Sequence, residues 1–209
     1  MLSESTDAPQ VVAILRGVEP TRVVAIAERL WAAGIRMIEV PLNSPEPFAS
    51  ISALVAARGS DCLIGAGTVL DLAAVRNTHA AGGRLIVAPN CDAEVIRGAL
   101  QLGMEVLPGI ATATEAFAAI HAGATRLKLF PAVTYGPRHL QALRAVLPPG
   151  TAVLPVGGVG AADIPGWLAA GAAGFGFGSE LFRPEYDLQE IERRARQLLQ
   201  ALRAARAQP

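Results

Sequence analysis

Lys128 is the only lysine in a chain of 209 residues whose other basic side chains are arginines and three histidines. It sits inside the apolar run Arg126-Leu-Lys-Leu-Phe-Pro131. A guanidinium stays charged under all ordinary conditions, whereas a desolvated lysine ammonium can lose its proton. An amine in an apolar strand is therefore a candidate imine-forming nucleophile. The plainer alternative is a lysine that snorkels or pairs with a carboxylate. Three further polar residues stand in similar surroundings: Glu39 between Ile38 and Val40, Arg16 at the end of Val11–Arg16, and Thr68 after Gly65-Ala-Gly67.

These residues must be positioned by repeating elements. Apolar, strand-like runs recur eight times: Val11–Arg16, Met37–Leu42, Leu63–Thr68, Leu85–Asn90, Glu105–Ile110, Arg126–Pro131, Ala152–Gly157 and Gly174–Ser179. Ala-rich segments of helical period lie between them, including Arg22–Ala33, Asp92–Gln101, Thr114–Ala122 and Pro137–Leu147. Gly34, Gly59, Gly82, Gly103, Gly123 and Gly171 fall where such helices end and suit a left-handed cap. Eight strand–helix pairs with short links predict a (β/α)8 TIM barrel, with an open doubly wound sheet as the alternative. Active sites of barrels lie at the C-terminal ends of the strands. Side-chain alternation then points Arg126, Lys128 and Phe130 inward on the sixth strand and Glu39 inward on the second. Arg16 and Thr68 close the first and third strands. An amine, a carboxylate, a guanidinium and a hydroxyl thus converge on one mouth, and buried charges are costly unless something uses them.

The seventh and eighth strands run into Val156-Gly-Gly-Val159 and Gly174-Phe-Gly-Phe-Gly-Ser179. In many barrels the loops after these strands hold phosphate on backbone N–H groups. Gly157, Gly158, Gly178 and Ser179 are the candidates; ordinary tight turning is the plainer reading. No ribose-binding acid follows at dinucleotide-fold spacing. His79, His121 and His139 fall in helical segments, none at ligand spacing to another, and no Asp/Glu cluster marks the strand ends. No metal and no cofactor are expected, so a carbonyl substrate would have to be activated covalently.

The bulk composition narrows the setting. Hydrophobic residues make up 52% and charged residues 17%, with 21 Gly and 15 Pro, which fits a buried, tightly turned enzyme rather than disorder. The formal net charge of zero gives no reason to expect nucleic acid or an anionic membrane as partner. No apolar run is long enough to span a bilayer. Met1 to Gln10 lacks a signal-peptide pattern, so a cytoplasmic location is expected. Cys62 and Cys91 form no CxxC and imply no disulfide framework. One domain over 1–209 is expected, with 1–10 an N-terminal extension and 188–206 a solvated, Arg-rich C-terminal helix.

A set of short motifs occurs in order along the chain: Ala13-Ile-Leu-Arg-Gly17, Ile38-Glu-Val-Pro-Leu-Asn-Ser-Pro45, Ile64-Gly-Ala-Gly-Thr-Val69, Ile86-Val-Ala-Pro-Asn90, Leu127-Lys-Leu-Phe-Pro131, Val156-Gly-Gly-Val159 and Gly176-Phe-Gly-Ser179. Together they resemble the bacterial 2-keto-3-deoxy-6-phosphogluconate (KDPG) aldolase family, and in detail its 2-dehydro-3-deoxy-6-phosphogalactonate (KDPGal) branch. The resemblance implies a metal-independent class I aldolase, usually a homotrimer, that cleaves a phosphorylated keto sugar acid to pyruvate and D-glyceraldehyde 3-phosphate. It implies Lys128 as the imine lysine and Glu39 as the acid/base. Arg16 and Thr68 would bind the substrate carboxylate, and Gly157, Gly158, Gly178 and Ser179 the phosphate. Pro89 and Phe130 would wall the pocket. Two departures from the gluconate branch bear on specificity: Asn43 stands where that branch often carries Arg, and Val156 where it commonly has Thr. KDPG or 4-hydroxy-2-oxoglutarate (KHG) aldolase on the same scaffold, and a sugar-phosphate-binding barrel without catalysis, are the competing readings.

Overall fold

The computed structural model describes residues 10–207. The N-terminal extension expected over 1–10 lies, apart from Gln10, outside the described residues. Strands and helices alternate from the first element onward. The strands are β1 (Gln10–Ile14), β2 (Met37–Pro41), β3 (Leu63–Gly67), β4 (Leu85–Val87), β5 (Glu105–Leu107), β6 (Gly109–Ile110), β7 (Arg126–Leu129), β8 (Ala152–Pro155) and β9 (Gly174–Phe177). The helices are α1 (Pro20–Ala33), α2 (Pro47–Arg58), α3 (Leu72–Ala80), α4 (Ala93–Gln101), α5 (Ala113–His121), α6 (Ala132–Arg144), α7 (Ile164–Ala169) and α8 (Leu188–Arg206).

All ladders are parallel. They form a six-stranded sheet in the order β5-β4-β3-β2-β1-β9 and a three-stranded sheet in the order β6-β7-β8. The run Glu105–Ile110, expected as one strand, is split at Pro108, which has no N–H to give to a ladder. Its carbonyl still accepts from Lys128 N–H at 2.9 Å, so the two pieces lean on different neighbours. Between β8 and β9 the pairing is one isolated bridge, Val156 to Gly176. The fold is thus an α/β fold on parallel strands, with the six-stranded sheet curled as a half-barrel.

Each helix forms for a local reason. In α1, Pro20 occupies the first turn, Val23, Ile26, Ala27 and Leu30 make one buried stripe, and Gly34 ends it in the left-handed region at φ 112°. Gly82, Gly103, Gly123 and Gly171 also have positive φ, as expected. Gly59 does not: α2 runs on into a right-handed turn at φ −60°, because Asp61 and Cys62 donate back to the Arg58 carbonyl. The segment expected as Pro137–Leu147 begins earlier. A first turn at Ala132 is separated from it by a non-helical Gly136 at φ 73°. Helix α8 has the expected bounds; Ile191, Ala195, Leu198 and Leu202 are buried while Arg193, Arg194 and Arg196 pair with Glu190 and Glu192 on the wet side.

The apolar core is a layer between strands and helices that includes Ile38, Val40, Leu127 and Leu129. A second, smaller cluster of Val12, Met37, Leu85, Val87, Leu107 and Leu154 draws on strands of both sheets. Leu127 and Leu129 therefore face the helices, and the alternation turns Lys128 the other way.

Candidate active site

Strand β7 turns Lys128 away from the helices, and the residue is only 6% exposed. Its Nζ lies 4.7 Å from the centroid of the Phe130 ring. Glu39, on β2, is 2% exposed. Its carboxylate lies directly over strand β3, where a Cβ at Gly67 would stand 1.7 Å from Glu39 Oε2. That overlap explains why the residue there has no side chain. Glu39 Oε2 has no hydrogen-bond partner among the described residues.

The electrostatics follow from the burial. Desolvation pushes the Glu39 carboxyl up to about 7, against the lowering pull of the Lys128 and Arg16 cations. Desolvation also lowers the Lys128 ammonium from its ordinary value; the Glu39 carboxylate opposes this and Arg16 adds to it. Burial thus makes the amine easier to deprotonate and the carboxyl easier to protonate, and these two directions are the ones that carbonyl attack and proton transfer need.

A pocket opens above Lys128. It is lined by Arg16, Phe130, Val156, Gly157, Gly158, Gly178 and Ser179, all expected from the sequence. Ile14, Val159, Gly176 and Glu180 line it as well. Of these, Gly176 was legible as part of the glycine-rich run Gly174-Phe-Gly-Phe-Gly-Ser179. A Cβ at Gly176 would come within 2.7 Å of Val156 Cγ2, so the glycine makes room for the valine. Gly157 and Gly158 have φ of 95° and 73°, a conformation that turns the backbone sharply at the strand exit.

Four expected site residues, Glu39, Thr68, Pro89 and Asn43, do not line this pocket. Strand β3 ends at Gly67, and Thr68 is left-handed at φ 58°, so strand parity does not govern where its hydroxyl points. Thr68 and Pro89 are not among the pocket-lining residues. Asn43 is also outside the lining, but its Oδ1 accepts from Arg16 Nη1 at 2.6 Å. Arg126, which shares the parity of Lys128, pairs with Glu105 at 2.6 Å near the other end of the strands. Among the described residues, no group of three or more His, Cys, Asp or Glu side chains could hold a metal ion. No helix among them is long and apolar enough to cross a membrane.

Comparison with known proteins decides what this arrangement belongs to. The family described as "KDPG and KHG aldolase" matches residues 3–194. The chain belongs to the KDPG and KHG aldolase family. Within that family it is 47% identical over 196 residues to 2-dehydro-3-deoxy-6-phosphogalactonate aldolase of Escherichia coli K12, covering 94% of each chain. A solved structure described as native KDPGal superimposes with a TM-score of 0.94 at 45% identity, covering 98% of both chains. A KDPG aldolase from Legionella pneumophila, solved with pyruvate captured as a covalent carbinolamine, is 26% identical with a TM-score of 0.80, covering 96% of this chain and 95% of that one. The aldolase relatives thus include a structure with pyruvate held covalently, and the structure whose description names KDPGal has the greater likeness of the two.

Proposed function

We propose that this protein is a class I aldolase that cleaves 2-dehydro-3-deoxy-6-phospho-D-galactonate to pyruvate and D-glyceraldehyde 3-phosphate. The observation that carries the reading is the buried Lys128–Glu39 pair, an amine pushed down and a carboxyl pushed up, beside a glycine-lined pocket in a chain so similar to KDPGal aldolases.

The neutral amine of Lys128 attacks C2 of the keto acid to give a carbinolamine, and loss of water gives the protonated imine. Glu39 supplies and recovers the protons of these steps, directly or through a water on its unpartnered Oε2. The same carboxylate takes the proton of the C4 hydroxyl. The C3–C4 electron pair then moves into the imine, the C4 aldehyde leaves as glyceraldehyde 3-phosphate, and the enamine remains. Protonation of the enamine at C3 and hydrolysis release pyruvate and free the amine. Arg16 offers a planar fork to the substrate carboxylate, and Thr68 a second donor to it. Gly157, Gly158, Gly178 and Ser179 hold the phosphate through backbone N–H groups and a hydroxyl. Phe130 and Pro89 wall the pocket.

We also read the two sheets as one closed (β/α)8 barrel. Its supports are the continuity of β5 and β6 through Pro108, the Val156–Gly176 bridge, and the Ala173 N–H to Val153 carbonyl bond of 2.9 Å between the β8 and β9 segments. The homotrimer that the family resemblance implies would cover apolar surface such as Val133 and Leu70, and light scattering in solution tests it. We place the enzyme in the cytoplasm, where a charged phosphate ester would be retained.

Borohydride with pyruvate tests the mechanism. One reduced pyruvyl group is expected on the peptide containing Lys128, and Lys128→Arg should abolish it; an adduct confined to the α-amino group would sink the imine mechanism. Val156 tests the choice of epimer, because the galactonate and gluconate substrates differ only at C4. An apolar wall discriminates by shape, whereas a hydroxyl partner discriminates strongly. Wild type should prefer the galactonate epimer, and Val156→Thr should shift the kcat/KM ratio toward gluconate by roughly three- to tenfold, the size of one hydrogen bond. An unchanged ratio would show that Val156 does not read C4. A wild-type preference for gluconate would favour the KDPG/KHG reading.

A further inference from the structure

The exits of β1 and β2 are tied together by two side chains. The backbone ladder between these strands ends where Leu15 N–H donates to the Glu39 carbonyl at 3.0 Å. Beyond that point, Arg16 Nη1 donates to Asn43 Oδ1 at 2.6 Å, and Gly17 N–H donates to Ser44 Oγ at 2.9 Å. The acceptors ride on a rigid support. Ser44 N–H closes a turn onto the Pro41 carbonyl at 2.9 Å, and Leu42 N–H holds that turn to Gly67 of β3 at 2.8 Å. Ser44 itself is 8% exposed.

Arg16 is an exposed residue that also lines the pocket. A free arginine at such a place spreads over many rotamers, and ordering it costs conformational entropy. A guanidinium has five N–H donors, so one bond to Asn43 fixes the fork and leaves other donors for a ligand. The partner is a neutral amide, which leaves the cation's charge intact; a carboxylate in that place would neutralise it and compete with an anionic substrate.

We propose that Asn43 is a positioning residue that acts through Arg16. It holds the guanidinium toward the pocket so that the fork meets the substrate's carboxylate. The inference rests on the carboxylate-binding role proposed for Arg16 and goes beyond it by assigning the residue that sets its direction.

A double-mutant cycle tests this on the full chain with 2-dehydro-3-deoxy-6-phosphogalactonate as substrate. Asn43→Ala should raise KM about tenfold while kcat changes by less than about threefold, the pattern of a lost ground-state contact. Asn43→Asp keeps an acceptor at the same place, yet it should raise KM at least as much, because the charge is neutralised. In the Arg16→Ala background, Asn43→Ala should add nothing. The half-saturating pyruvate concentration for borohydride inactivation should move in parallel with KM, a readout that general loosening of the turn would not produce in the Asp variant. A KM unchanged by Asn43→Ala but raised by Arg16→Ala would overturn the role of Asn43 alone. Effects that multiply in the double variant would show that Asn43 meets the substrate independently. A KM unchanged by Arg16→Ala would remove the Arg16 role and this inference with it.

Discussion

Glu39 is where stability and chemistry pull in opposite directions. Its carboxyl is raised from 4.5 to about 7 by burial, so the folded state holds its proton more tightly than the unfolded chain does. The ionised form therefore burdens the fold: no penalty below the unfolded value, a growing one between 4.5 and 7, and the full penalty above. Glu39→Gln removes it. The variant should be more stable than wild type at pH 8 by on the order of 1–3 kcal/mol, and the difference should vanish toward pH 4. The same substitution should lower turnover by ~10²–10⁴-fold, as for a positioned acid/base. Urea unfolding at the two pH values and a pyruvate-release assay check both halves. A variant that loses less than about tenfold in turnover would mark Glu39 as a structural carboxylate. Lys128 works in the opposite sense: its lowered ammonium binds protons less readily in the folded state, so stability from this group rises with pH toward its unfolded value.

At the level of the element, β3 is thin so that its neighbours can be thick. Gly65 lies against the Leu85 backbone, where a Cβ would stand 1.8 Å from the carbonyl oxygen, and Gly67 lies under the Glu39 carboxylate. Gly67→Ala should therefore displace the carboxyl end of Glu39, which can swing, rather than a backbone, which cannot. A shift of about 1 Å in a catalytic group is expected to lower turnover up to ~10²-fold. Far-ultraviolet circular dichroism should stay native while kcat falls. Unchanged kcat would show that Glu39 tolerates displacement and that its placement over Gly67 is incidental. The helices carry separate devices. In α5, Thr112 and Glu115 form a reciprocal capping box, with Glu115 Oε2 accepting from the N–H groups of Ala111 and Thr112 at 2.8 Å each. Thr112→Ala should cost about 1 kcal/mol, read as a lower urea midpoint at an unchanged slope, with turnover intact.

For the whole molecule, α8 is the element that joins the end of the chain to its beginning. Its buried stripe packs beside α1, and Arg29 of α1 reaches Glu192 at 3.3 Å. The surface ion pairs of α8 are exposed and each contributes little; the apolar stripe carries the attachment. Ile191 is fully buried, and Ile191→Ala should cost about 2–5 kcal/mol. Arg196→Ala, which removes a pair to Glu192 of 2.6 Å, should cost far less, because the pair is screened by solvent. Thermal unfolding of the two variants should rank them in that order, and the reverse order would mean that α8 is held by its charges.

Periodicity along the chain determined the strand–helix alternation, the parallel sense of the strands and the inward parity of Lys128 and Glu39, because alternation of faces is a local property of an extended backbone. The position of Val156-Gly-Gly-Val159 after the seventh apolar run likewise placed Gly157 and Gly158 at the pocket. What happens at a strand's end is not local. Whether β3 stops at Gly67 or Thr68, and hence where the Thr68 hydroxyl points, depends on a left-handed residue whose strain only the surrounding structure can hold. The split of Glu105–Ile110 at Pro108 depends on which neighbour each half meets. Asn43 was legible as a residue near the site, but its bond to Arg16 spans 27 positions and exists only once two strands lie side by side. The raised carboxyl of Glu39 and the lowered amine of Lys128 are likewise products of burial, which only the packed structure supplies, since residue type alone sets no dielectric.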